Sequence, residues 1–386
     1  MGTGVSQVQC YVPATNVPRS VQFAPLALVI ALVTFGCGRR AEPLQGAGGS
    51  TALPSPAGDH PAPRASAHAR SFQVMGTEAV FTIWTDDADR AEQAFTAAYA
   101  EIRRIEELMT DWERPGQPPS DIVRINHAAG KEAVEVSDET INVIQASLDM
   151  SRRSDGAFDI TFAAMRGLWK FDEDLEKKIP PAAEIERRRQ LINYRDVIVD
   201  PKKNTVKLRR AGMRIGLGGI AKGYAVDRCA EVLRRHGFEN FMVQAGGDLF
   251  VAGSKDGAPW MVGVRDPRGG PRAIIAKMAI RDHAFSTAGD YERSFIIDGK
   301  RYHHIIDPKT GYPATASRGV TIFAPTAFLA DALDDAVFIL GPQRGMALVD
   351  SYPDCSAMIV DARNKVWVSK SLEGKLQRTG EPTEAP

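Results

Sequence analysis

The stretch GLGGIAKGYAVDR, Gly216 to Arg228, sets three glycines in its first four positions and then turns into a helical pattern opening with Lys222. Glycine lets backbone N–H groups come close to a ligand, a helix N-terminus adds partial positive charge, and a first-turn lysine adds a point charge. The same bareness also serves tight packing of a helix against a neighbour, with the lysine left in solvent. The stretch follows neither the GxGxxG nor the Walker pattern, so both readings stay open at this level. A second glycine turn, AGGD at Ala245 to Asp248, admits the same pair: two close backbones or a ligand edge.

Outward from this turn, the helical spacing carries to about His236. FMVQAGGDLFVAG and WMVGVRDP follow as strands, and Ile274 to Asp307 reads as successive antiparallel strands with a turn at Asp298-Gly299. GVTIFAP is a strand leading into the helix TAFLADALDDAVFILG, and SAMIVDARNKVWVS returns to β. Upstream, FQVMGTEAVFTIWTDD reads as one strand, Asp89 to Thr110 as an amphipathic helix, and Ser137 to Arg153 as a helix capped by Ser137. AAEIERRRQLI is a charged helix, and RDVIVDPKKNTVKLRR is a hairpin with its turn at Asp-Pro-Lys-Lys-Asn. Strands and helices mix without strict alternation. The pattern therefore predicts an α+β fold, one domain over residues 71–374 with mixed or antiparallel sheets and packed helices.

Forty-eight basic residues balance forty-eight acidic ones, and no basic tract interleaved with aromatics occurs, which excludes a nucleic-acid partner. Residues 1–36 read as a signal segment. Its uncharged run VQFAPLALVIALVTFG is short of the roughly 20 residues of a membrane span and suits a signal-peptide core. Gly36-Cys37 matches the lipoprotein signal, although Thr34 and Phe35 depart from it; a plain secretory signal or an uncleaved anchor are the alternatives. Residues 37–70, rich in Ala, Pro, Gly and Ser, read as a disordered tether, and 375–386 as a polar tail. Within the domain only Cys229 and Cys355 remain, with no CxxC, so free buried thiols are expected over an oxidised pair.

Asp331, Asp334 and Asp335 fall on a predicted helix, with Asp331 and Asp335 four apart on one face. Like charges at that spacing repel unless a cation sits between them, and hard carboxylates beside a phosphate-type turn suit magnesium. Acids favoured by the helix dipole are the other reading. In RYHHIIDPKTGYP the adjacent histidines point to opposite sides of a strand, so at most one enters a site. Trp112, in a polar loop, could stack on a flat ring, and GAFDIT at Gly156 to Thr161 combines an aromatic, a carboxylate and a hydroxyl.

Together these segments resemble the ApbE family of FAD:protein FMN transferases. The likeness rests on MGT, the Trp112 loop with Ser120 and RIN, GAFDIT, GLGGIAKGYAVDR, QAGGDLFVAG, STAGDYERSF, YHHIIDPKTGYPA and the DALDDAVFILG helix, in that order. The resemblance implies Mg2+-dependent transfer of FMN from FAD to a Thr or Ser hydroxyl of an acceptor protein, with release of AMP. It implies that Met75 and Trp112 contact the adenine or flavin end, that Ala157, Phe158 and Asp159 line the nucleotide, and that Gly216 and Lys222 face the cofactor. Metal binding carries over to the Gly219 carbonyl and Asp331. Asp335 stands where the family usually has threonine, and Gly216 where it usually has aspartate. His304 matches the histidine linked to catalysis, with Asp331 also at the reacting centre. An FAD pyrophosphatase and a non-catalytic FAD-binding lipoprotein are the rival readings. Such a chain would be exported and held on the periplasmic side of the cytoplasmic membrane by lipid on Cys37.

Overall fold

The computed structural model describes residues 65–171 and 177–385. The signal segment 1–36, Cys37 and the tether up to residue 64 lie outside the described residues. The described chain opens with β1 (Ser66–Val74), β2 (Thr77–Thr85), α1 (Ala88–Met109), α2 (Asp121–His127), β3 (Val134–Glu135) and α3 (Asp138–Arg153). It continues through α4 (Ala182–Arg189), β4 (Val197–Asp200), β5 (Thr205–Leu208), α5 (Ala221–Arg235), β6 (Phe241–Ala245) and β7 (Asp248–Ala252). Then come β8 (Trp260–Arg265), β9 (Ile274–Ile280), β10 (His283–Gly289), β11 (Ser294–Ile297) and β12 (Lys300–His303). It closes with β13 (Ser317–Ala324), α6 (Ala327–Asp350), β14 (Ser356–Asp361), β15 (Val366–Val368) and β16 (Gln377–Arg378).

An eight-stranded antiparallel sheet in the order β1-β2-β6-β7-β10-β13-β14-β15 is the centre of the fold. Its inner strands β6, β7, β10, β13 and β14 are buried on both faces, and the pleat divides their side chains between two cores. Phe81, Phe241, Val243 and Ile322 point into the core shared with α1, α5 and α6. Met242, Leu249, Phe285 and Phe323 point the other way, against Trp260, Val262 and Met278 of the small sheet β16-β9-β8. This α+β arrangement agrees with the sequence pattern. The Ser137 cap of α3 is present, its hydroxyl accepting from Thr140 N–H. Cys229 and Cys355 are both free and buried. No helix among the described residues is long and apolar enough to cross a membrane.

The expectations fail at turns and ends. FQVMGTEAVFTIWTDD is two strands, reversed at Met75-Gly76, where φ is 53° and 69° as a type I′ hairpin requires. FMVQAGGDLFVAG is likewise a hairpin, reversed at Gly246-Gly247. β1 reaches back to Ser66, inside the stretch read as tether. The polar tail is docked: β16 pairs with β9, and Thr383 N–H and hydroxyl both donate to Asp266. Apolar content is what marks a strand in a sequence, and these segments are held by backbone pairing instead.

Candidate active site

The glycine turn is held from behind. Asn126 of α2 donates to Ile215 O at 3.0 Å and accepts from Ile215 N–H at 2.7 Å, while Gly216 N–H donates to Ile160 O. That clamp delivers Gly218 and Gly219 to the start of α5. A side-chain carbon at Gly218 would meet nothing within 4 Å, so its backbone is open to an incoming group. Gly219 faces the Asp335 carboxylate and lies close to the buried Phe158 ring.

Lys222 follows one turn into the site. Its ammonium lies 2.8 Å from Asp248 and 3.1 Å from Asp331. Burial opposes its charge, but these two carboxylates outweigh burial and hold its pKa well above the ordinary lysine value. Asp331 is fixed further by Gly223 N–H, which donates to its second oxygen at 2.8 Å. Ser286 Oγ lies 2.5 Å from both Asp248 and Asp334. One hydroxyl proton cannot serve two carboxylates. Ser286 therefore donates to one of them at a time, and burial, with Asp335 and Asp331 alongside, pushes Asp334 well above the usual carboxylate range. Burial also raises Asp331, with Asp248 adding to the shift.

The carboxylate oxygens of Asp248, Asp331 and Asp334 lie within 4.8 Å of one another. Three buried acids face one ammonium, and every donor is a hard oxygen. This set fits a divalent cation such as magnesium. Of the expected trio Gly219, Asp331 and Asp335, Asp331 belongs to this cluster, Asp335 faces Gly219 beside it, and Asp248 and Asp334 are additional acids. The spacing that could have pointed to Asp334 is i, i+3 from Asp331.

His303 is the last residue of β12 and His304 the first beyond it, and the two side chains differ in burial. His303 is buried, its Nε2 2.8 Å from Ala314 O and its ring edge-on to Phe338. His304 is exposed at the rim. Protein packed behind it, with His303, Arg293 and Lys222 adding positive charge, holds its imidazole below the ordinary pKa. The lowered pKa leaves a ring nitrogen unprotonated near pH 7 and makes the free imidazole a weaker base than an unperturbed one. The His304 backbone N–H donates to Arg293 O, and the Arg293 guanidinium donates to Gly76 O at 2.9 Å. Met75 N–H donates to Glu106, which also holds Arg114 at 3.0 Å. The Met75 turn, the loop after Trp112 and the histidine thus share one framework.

Other expected residues are placed less directly. Asp159 is buried with both oxygens engaged, by Thr161 N–H and hydroxyl and by Tyr194 N–H, so its carboxylate fixes the local chain. Ala157 is buried beside it. Trp112 is 66% exposed, and the Arg166 guanidinium lies 3.7 Å from its ring centre. At Gly216 the nearest side chains to a would-be Cβ are Ala163 and the Asp111 carboxylate. A cavity of about 540 Å3 at the Gly341-Pro342 kink of α6 shares no residue with the carboxylate cluster.

The sequence profile of the ApbE family matches residues 75–359. An FAD:protein FMN transferase of Klebsiella pneumoniae is 31% identical over 300 residues, 78% of this chain and 90% of that one. One from Treponema pallidum is 33% identical over 273 residues, 67% of this chain and 75% of that one. Among solved structures, the ApbE protein of Thermotoga maritima aligns with a TM-score of 0.72 and 33% identity, over 80% of this chain and 99% of that one. Flavin transferase ApbE from Vibrio cholerae aligns with a TM-score of 0.71 and 26% identity, over 81% and 99%.

Proposed function

The chain belongs to the ApbE family, and from that premise we propose that it is an FAD:protein FMN transferase acting on a Thr or Ser hydroxyl of an acceptor protein. The observation that carries the reading is the buried Asp248–Asp331–Asp334 cluster at the open end of the Gly218-Gly219 turn, with neutral His304 on the rim. The acceptor oxygen bonds to the FMN phosphorus of FAD, the pyrophosphate P–O bond breaks, and its electron pair leaves with AMP. His304 takes the hydroxyl proton, and the bare glycine backbone lets the pyrophosphate approach. Lys222 works through Asp248 and Asp331, pairing with both carboxylates and holding them in place. Magnesium held by Asp248, Asp331 and Asp334 would supply the positive charge that pyrophosphate oxygens need.

The test incubates the full chain with FAD, Mg2+ and a flavin-acceptor domain, with EDTA in a parallel sample. The expected outcome is an acceptor heavier by FMN less water, one AMP per transfer, and neither product in EDTA. Free FMN with an unmodified acceptor would make the chain a pyrophosphatase instead. FAD bound but never cleaved would leave only a binding role.

The same proposal places the domain on the periplasmic side of the cytoplasmic membrane, tethered by lipid on Cys37. Its support is the uncharged run before Cys37 and the tether composition after it. Cys37→Ser is expected to move the protein into the soluble fraction or block its processing. Equal labelled-lipid incorporation in mutant and parent would overturn the anchor.

A further inference from the structure

Trp112 stands at the end of a short relay of contacts that the proposed chemistry does not use. Arg166 covers one face of its ring at 3.7 Å, while the ring as a whole stays exposed. Arg166 is itself held by Asp111, the residue just before the tryptophan: Nη1 lies 2.5 Å from Asp111 Oδ2 and also donates to the Asp111 carbonyl. Arg214 adds a second positive charge near the same carboxylate, and its buried Nε has no partner among the described residues. The far side of the Asp111 carboxylate abuts the glycine turn. A Cβ at Gly216 would come 3.3 Å from Asp111 Oδ2 and 3.2 Å from Ala163 Cβ, tighter than most such contacts.

We infer that Asp111 and Arg166 are positioning residues that hold Trp112 as a preformed stacking platform, and that Gly216 is glycine to leave room for the Asp111 carboxylate. A planar guanidinium pinned by a carboxylate fixes the ring it stacks on, where a free arginine would let the ring swing. A side chain at 216 and the carboxylate at 111 compete for one space. A carboxylate introduced at 216 would reach nearly the same spot from the other side. That the platform receives a flat ring of FAD rests on the function proposed above; that the ring is clamped does not.

The test uses the full chain. Time-resolved anisotropy of Trp112, obtained as the difference between each protein and its Trp112→Phe counterpart, reads ring motion without any ligand, and fluorescence titration reads the FAD dissociation constant. Asp111→Ala is expected to enlarge the fast anisotropy loss at least twofold and to weaken FAD binding about tenfold, the scale of one lost aromatic stack. Gly216→Asp alone should do the same, because two carboxylates then crowd one guanidinium. Asp111→Ala combined with Gly216→Asp should recover most of both losses, a reversal that a general loss of stability would not produce. Asp111→Asn serves if the alanine variant does not fold. Unchanged Trp112 motion in Asp111→Ala and Asp111→Asn would overturn the clamp. Failure of the double variant to recover would overturn the role given to Gly216. A loosened ring with unchanged FAD affinity would keep the clamp and remove Trp112 from the cofactor site.

Discussion

Asp331→Asn is expected to lower AMP release from FAD by about a hundredfold to a thousandfold at every magnesium concentration, the scale seen when one preorganised electrostatic contact is removed from a reacting centre. Aspartate and asparagine have nearly the same volume, so packing is preserved. The hydrogen-bond roles are not. One oxygen of Asp331 accepts from Gly223 N–H and the other from the Lys222 ammonium, so both are acceptors facing donors. An asparagine NH2 must face one of those donors in either orientation. Lys222 then leans on Asp248 alone, and the cluster loses the charge that both readings of the metal site share. Asp335→Thr supplies the contrast. Asp335 faces Gly219 and lies outside the tightest carboxylate trio, so its loss should leave the transfer step intact and raise only the Mg2+ concentration for half activity. Initial rates of AMP release across a magnesium titration separate the two outcomes. Saturable recovery of Asp331→Asn at high Mg2+ would reduce its role to metal affinity.

What the sequence carried was periodic, and what it hid was contact across the chain. α1, α3 and α5 announce themselves through one apolar stripe and a defined start. The β1–β2 and β6–β7 hairpins do not, because a two-residue reversal leaves the apolar alternation running across it. Only the small residues Gly76, Gly246 and Gly247 mark the reversal, and glycine in a strand pattern also fits a bulge. The site divides along the same line. Asp331 and Asp335 declare a shared helical face, and the glycine turn declares close approach. Asp248 enters from the first residue of β7, and Ser286 from β10, with no local spacing to tie either to Asp331. Their convergence is a property of strand order: β7 and β10 are neighbours in the sheet under α5 and α6. Asp159 shows the reverse case. Its motif suggests a ligand contact, and the structure adds what no local spacing shows, that its buried carboxylate ties Thr161 to Tyr194.

Gly223→Ala is expected to destabilise the fold by about 2–4 kcal/mol, although alanine is the better helix former by about 1 kcal/mol. The glycine lies where α5 crosses α6. A Cβ there would stand 2.2 Å from Ala327 O, 2.6 Å from Ala327 C and 2.7 Å from Asp331 Cβ. Two of those neighbours are backbone atoms, which have no rotamer with which to yield. The helices cannot easily slide apart, because Asp227 on α5 accepts from Ala327 N–H and Phe328 N–H at 2.9 Å each, satisfying the first turn of α6. Thr326 caps the same end, and Gly223 N–H holds Asp331. Overpacking must therefore break part of this set or strain it. Both faces of the opening motif's bareness are then explained at different positions: Gly223 for helix contact, Gly218 for an open backbone. Gly218→Ala meets nothing within 4 Å and should leave stability as it is, provided its backbone conformation is kept. For a domain of this size the Gly223→Ala loss corresponds to a fall in Tm of roughly 3–6 °C. Thermal unfolding of parent, Gly218→Ala and Gly223→Ala in EDTA measures it without any contribution from bound metal. A Tm for Gly223→Ala equal to or above the parent's would mean that helix propensity outweighs the crossing, and that α5 and α6 have room to spare where the Asp331 carboxylate is held.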